Sequence, residues 1–204
     1  MPFPSLTALL DPEPTTPPLV VTPADVGGPV AWAELRRAGA LVELHDGAAV
    51  GVGCVPGPAH RALALAREVP VRCVLGAATA GWVHTGLYDG VAAPAWPAGA
   101  PVELAYSPDT HRPAPRPGRV TRRAPGLVRD TERLAGVPVT SRTRTAADVA
   151  CTASPEAAVP VLVALARAGT DLRQAAVLLD RRARVVGRPA AHRALSAARE
   201  LLAG

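Results

Sequence analysis

Apolar positions along the chain fall into short blocks whose period changes several times. Thr22 followed by Pro23 gives an N-cap with Pro at the first helical position, and Gly27-Gly28 ends that brief helix after Val26. Pro29 to Ala38 fits a second helix with Val30, Ala33 and Leu35 inward and Glu34, Arg36 and Arg37 outward, stopped by Gly39. Leu41 to Leu44 and Ala48 to Val52 are apolar runs around His45-Asp46-Gly47, and an Asp-Gly turn between such runs predicts a hairpin. Helix, helix and hairpin in that order describe a small winged-helix-like head over residues 22–55.

A break at Pro56-Gly57-Pro58 separates this head from a longer body. There the pattern predicts a helix from Ala59 to Glu68, a strand from Val71 to Leu75, and a small-residue helix from Ala77 to Trp82 ending near Gly86. Strands follow at Val102 to Tyr106, Arg119 to Arg123 and near Val137 to Thr140, with a basic, Pro-rich loop at 108–118 and turns at Pro125-Gly126 and Gly136. From Thr143 the period is helical. Thr145 to Cys151 is one helix; Ser154-Pro155-Glu156 caps a second that reaches Gly169, with Pro160 expected to kink it or delay its start. Thr170 is expected to cap a third with Leu172, Ala176 and Leu179 on one face. Pro189 opens the last, with Ala191, Leu195, Ala198 and Leu202 inward. The predicted class is α+β: a winged-helix-like N-terminal head, then a mixed α/β body over 56–204 ending in helices. Ahead of both stands a Pro-rich leader, 1–21, in which Leu6 to Leu10 is followed by DPEPTTPP.

Composition narrows the chemistry. Aromatics make up only 3% of the 204 residues, so the core must be built from small aliphatic side chains and a base-stacking platform is not expected. All 22 basic residues are Arg, a usage that also fits the coding bias of a high-GC genome. Without Lys the chain cannot build a Walker A loop, a Schiff-base site or the Lys-dependent centre of restriction-type nucleases. Residues 1–110 hold 5 Arg against 10 acids and residues 111–204 hold 17 against 7, so the halves carry opposite net charge, −5 and +10. That asymmetry points to a polyanion or an acidic protein partner for the second half, although solvated helix faces also produce such charge. Cys54, Cys73 and Cys151 form no C-x-x-C pair, which fits a reducing cytoplasm. The N-terminus lacks a basic n-region and the longest apolar run, Ala157 to Ala166, is too short to cross a bilayer, so no secretion or membrane anchoring is expected.

Three stretches carry a family resemblance. ELRRAGALVELHDGAAV resembles the winged-helix end of AbiEi-type antitoxins, VLGAATAGWVHTGL a small-residue helix of theirs, and GVPVTSRTRTAADVA their "G-x-P-V-T-S-x-x-R-T-x-x-D-x-A" segment; they stand in the right order, and the resemblance extends over roughly residues 22 to 185. The resemblance implies a transcriptional regulator of a type IV toxin–antitoxin system. Its head would bind operator DNA, here through Trp32, Arg36, Arg37 and His45, and its body would counter a nucleotidyltransferase-like toxin. Some relatives continue into a restriction-type nuclease domain; this chain stops at Gly204 and has no Lys, so no nuclease activity is expected. A winged helix that grips DNA usually carries several basic side chains, because phosphate neutralisation supplies most of the affinity. Only Arg36 and Arg37 serve here, beside Glu34, Glu43 and Asp46, so weak DNA binding is expected.

In the body, Arg122, Arg123, Arg142, Arg181, Arg182 and Arg184 are the candidates for partner binding; for the last three the pull of a helix C-terminus on cations is an equally good explanation. Arg144 and Asp148, one helical turn apart, read as a structural ion pair, and Trp82 and His84 as buried structural residues. His84 has no second ligand at metal spacing, and His45, His60, His111 and His192 are equally isolated, so no metal and no cofactor are expected. No G-x-S-x-G elbow is present and no catalytic residue is assigned. The leading reading is a non-catalytic regulator that binds operator DNA weakly and a protein through its Arg-rich body. A pure protein-interaction module that has lost DNA binding is the alternative, and a degenerate enzyme stands third. The oligomeric state is not legible from the sequence.

Overall fold

A computed structural model describes residues 20–182 and 186–204, so the leader, all but its last two residues, and Arg184 lie outside the described residues. The fold is α+β and ends in a helix.

The head begins with a 3-10 turn, Pro23–Val26, held by Thr22, whose backbone N and Oγ1 both donate to Asp25 Oδ2 at 2.8 and 2.7 Å. Helix α1, Pro29–Arg37, leads to the antiparallel hairpin of β1, Leu41–His45, and β2, Ala48–Gly51, which turns through the left-handed Gly47. The order of elements is the expected one, but the phase of α1 is not. Val30 is 73% exposed and Ala33 is exposed, while Trp32 is buried and Leu35 half-buried. One large ring burying more area than Val and Ala together fixes which face turns inward. Leu44, Ala48 and Val50 of the hairpin pack against Ala64 of the body, and the Trp96 N–H donates to the Leu44 carbonyl at 2.7 Å.

The body opens with α2, Pro58–Ala64, and a 3-10 turn, Ala66–Glu68, in place of one continuous helix. Val69 is extended ahead of Pro70, as the residue before a proline prefers, and Arg72 at φ 66° delays the next strand, so β3 covers only Cys73–Leu75. Then come α3, Ala77–Thr85, the short hairpin β4, Leu87–Tyr88, with β5, Val91–Ala92, and the strands β6, Val102–Tyr106, β7, Arg119–Arg123, β8, Thr131–Leu134, and β9, Val137–Thr140. Five of these strands form one mixed sheet in the order β7-β6-β3-β9-β8. β3 is antiparallel to β6 and parallel to β9, and β6 and β7 are parallel. β8 was not expected from the sequence: as a half-buried edge strand, TERL shows no clean alternation.

Four helices complete the chain: α4, Arg142–Thr152, α5, Pro155–Arg167, α6, Leu172–Asp180, and α7, Arg188–Ala203. α4 begins three residues earlier than expected because Ser141 Oγ accepts the Arg144 N–H at 3.3 Å. Pro160 sits inside α5, which runs through it. The cap of α6 is Asp171, whose Oδ1 accepts the Arg173 N–H at 2.8 Å, and Thr170 is buried beside it. Leu202, expected inward, is 41% exposed near the end of α7. Ala residues let these helices approach closely around Leu162, Leu165, Leu179 and Leu195. A second core, on the sheet, centres on Trp82, Leu75, Leu104 and Val139. Trp82 stacks edge-on with Trp96 at 5.3 Å between centroids, and its Nε1–H donates to the Ala93 carbonyl at 2.8 Å.

Candidate functional site

Among the described residues, a cleft of about 910 Å³ opens where the β6–β7 end of the sheet faces α4 and the C-terminal end of α6. Its wall is built on Arg144. The Ser141 cap starts α4 early enough to bring Arg144 into the first turn, and its side chain, 4% exposed, reaches two carboxylates. Nε donates to Asp148 Oδ2 at 2.9 Å and Nη1 to Asp130 Oδ2 at 2.7 Å; Nη1 also reaches the Pro125 carbonyl at 3.1 Å. The second oxygen of Asp148 accepts Arg182 Nη1 at 2.8 Å. Burial pushes the Asp148 carboxyl up to about 6 against the opposing pull of Arg144. The cleft also contains the Cys151 thiol, which burial and then Asp148 push up to about 11, so at neutral pH it is protonated and a poor nucleophile.

On the sheet side, Glu103 closes the N-terminus of α3. Its Oε2 accepts the Ala78 N–H at 2.9 Å and its Oε1 accepts Arg122 Nη2 at 2.8 Å. Ala77, the first residue of α3, stands at φ 47° in the left-handed region on the cleft floor. Such strain at a strand–turn–helix junction marks a position where enzymes often mount a reactive group, but here the side chain is a methyl.

Six Arg residues line this cleft, Arg122, Arg123, Arg129, Arg144, Arg181 and Arg182, against the carboxylates of Glu103, Asp130 and Asp148; of the two on β7, Arg122 turns its side chain to the cleft and Arg123 turns its own to the other face of the sheet. Each acid is already engaged by Arg122, Arg144 or Arg182. Arg123, Arg129 and Arg181 are exposed and have no carboxylate partner among the described residues.

The residues singled out from sequence therefore separate. Arg181 stands open in the cleft, Arg122 and Arg182 are paired within it, Arg123 is exposed on the other face of β7, and Arg142 lies elsewhere, its Nη1 donating to the Ala168 carbonyl at the end of α5 at 2.7 Å. Arg144 and Asp148 form an ion pair that also takes in Asp130. His84 is buried; its Nε2 lies 2.8 Å from the Thr140 carbonyl, so that nitrogen carries the proton, and burial lowers its pKa. Arg129 was missed, since a lone Arg in a turn sequence gives no periodic signal. Arg61 was missed as well: it is buried and donates from Nε to the Val83 carbonyl at 2.8 Å and from Nη1 to the Pro56 carbonyl at 2.6 Å. Burial without a carboxylate partner lowers its pKa while the end of α3 accommodates its charge.

In the head the DNA-contact expectation for Trp32 is corrected, because the ring is buried and turned away from solvent. Arg36 Nη2 is 3.0 Å from Glu43 Oε2, Arg37 is exposed, and His45 is half-buried at the end of β1. Among the described residues, no cluster of three or more His, Cys, Asp or Glu could hold a metal ion, and no helix is long and apolar enough to cross a membrane.

No family model matches the chain, and no curated protein matches it. Among solved structures, the crystal structure of the RV2827C protein from Mycobacterium tuberculosis is similar with a TM-score of 0.44 and 20% identity, over 90% of this chain and 72% of that one. That likeness is too weak to carry a fold or a function across.

Proposed function

We propose that this chain is a non-catalytic regulator of the AbiEi-like antitoxin type, which engages a protein partner through the Arg-lined cleft and operator DNA only weakly through its head. The observation that carries the reading is the pair of open guanidinium groups of Arg129 and Arg181, with Arg123 exposed on the adjoining sheet edge, at a cleft whose own acids are already paired. Unpaired Arg forks are suited to carboxylate recognition from outside. The sequence resemblance names the partner class as a nucleotidyltransferase-like toxin. A role without covalent chemistry is supported by the protonated Cys151 and by a methyl at the strained Ala77.

The decisive test starts from the gene neighbourhood, where a nucleotidyltransferase-like gene is expected, and measures rescue of growth in cells expressing that gene. The native chain is expected to rescue, and R123E/R129E/R181E is expected to fail while melting normally. Full rescue by that variant, or turnover of any nucleotide or metabolite by the purified native chain, would sink the reading.

The alternative of a pure interaction module is favoured by one specific feature, the pairing of Arg36 with Glu43 beside a buried Trp32. A gel shift on the upstream region of the gene separates the two. A salt-sensitive shift supports the regulator, and no shift at low or moderate salt supports the module.

A further inference from the structure

We propose that what the cleft receives is an extended acidic segment of the partner, which adds as a strand to the free edge of β7. This rests on the reading of the cleft as a partner site and specifies how the partner binds. β7 ends the sheet and pairs only with β6. The two backbone bonds that bracket it, Val102 N–H to the Gly118 carbonyl and Ala124 N–H to the Tyr106 carbonyl, both 2.8 Å, set its phase. In a parallel ladder the groups facing the neighbour recur every second residue. Gly118, Val120, Arg122 and Ala124 therefore turn their main-chain groups to β6, and Arg119, Thr121 and Arg123 turn theirs outward. The Arg119 N–H is closed by the Arg116 carbonyl at 3.2 Å. Among the described residues, the main-chain groups of Thr121 and Arg123 have no partner.

That edge is backed by a firm strand, since Val102, Leu104 and Ala105 of β6 are buried. Its charge selects the occupant. Three of the five residues of β7 are Arg, which opposes pairing with a second copy of the same strand and favours an acidic one. Alternate side chains of an added strand lie on the cleft face of the sheet, so carboxylates at every second position approach the open guanidinium groups of Arg129 and Arg181, while Arg123 adds positive charge from the other face of the same edge. Nucleic acid fits less well. Trp82 and Trp96 are buried in the core, so no base can stack on them.

The test uses the full chain and fluorescence anisotropy with four labelled probes: a short peptide of alternating Glu and Val, the same peptide with alternate backbone nitrogens methylated in one phase or in the other, and single-stranded DNA. The alternating peptide is expected to bind, R123E/R129E/R181E to lose it, and backbone methylation in one phase to weaken it by about tenfold or more through lost main-chain bonds. Thr121→Pro, which removes only an outward N–H, is expected to weaken it similarly with an unchanged melting temperature. If the triple reversal abolishes binding but methylation and Thr121→Pro do not, strand addition is overturned and the partner site stands. If no peptide binds, or DNA binds more tightly than the peptide, the inference fails. Growth rescue by the triple variant is the separate result that removes the partner site itself.

Discussion

Arginine is spent in opposite ways at the two ends of this molecule. In the head, Arg36 on α1 folds back onto Glu43 of the next strand, and both side chains are well exposed, at 53% and 31%. In the body, Arg144 is enclosed and joins Asp148 from its own helix to Asp130 from a loop before β8. The first contact closes a local loop in high dielectric; the second ties together elements far apart in sequence where charges are poorly solvated. Identical chemistry is therefore cosmetic in one place and structural in the other, and around the structural pair further arginines, Arg129 and Arg181, stand open to solvent in a cleft.

The sharpest way to break this comparison is to remove the enclosed guanidinium. Arg144→Ala leaves Asp130 and Asp148 facing each other without their shared counter-charge, and the expected loss is about 3–5 kcal/mol. Urea denaturation measures it. Arg144→Lys should recover less than half, because one ammonium cannot reproduce the fork that serves two carboxylates from Nε and Nη1. A loss below about 1 kcal/mol for Arg144→Ala would put the pair in the same class as exposed bridges.

A smaller effect comes from proton linkage at Asp148. Its carboxyl is raised from an ordinary 3.8 to about 6, so the folded chain holds that proton more tightly than the unfolded chain does. The contribution is fully present below about pH 4 and is lost as pH rises through 6. Asp148→Asn abolishes the titration. The stability of this variant relative to the native chain is therefore expected to improve by up to about 3 kcal/mol between pH 4 and pH 7. Urea midpoints of the two proteins at intervals across that range give the answer, and a difference that stays flat or changes in the other direction contradicts it.

What the sequence made legible follows the same division. Strands such as Val102–Tyr106 and Val137–Thr140 are apolar runs bounded by turn residues, and they stand where the pattern places them. The i,i+4 spacing of Arg144 and Asp148 was readable for the same local reason. The cleft was not, because Glu103, Asp130 and Arg182 reach it from separate elements and no periodicity encodes their meeting. Nor was the strand order, in which β3 comes to lie between β6 and β9. The inverted phase of α1 has another cause: with Val30, Ala33 and Leu35 offering only a weak stripe, a single Trp outweighed them, and the ring taken for a DNA contact is the anchor of its helix.

The smallest expected effect is the one that sharpens the head. Arg36→Gln should change stability by no more than about 0.5 kcal/mol, since exposed pairs of this kind contribute little. Its informative counterpart is Glu43→Gln. Glu43 holds Arg36 through Oε2 and accepts the Gly47 N–H through Oε1 at 3.2 Å, and a glutamine keeps an acceptor for that turn while releasing the guanidinium. If the head touches DNA at all, removing one negative charge and freeing one positive charge must tighten a gel shift at low salt by several-fold, and Arg36→Gln must weaken it. Opposite responses from the two variants would show that the local pair restrains a phosphate contact. Identical behaviour of both with the native chain would mean that the head carries no DNA-binding function, leaving the cleft as the working surface of the protein.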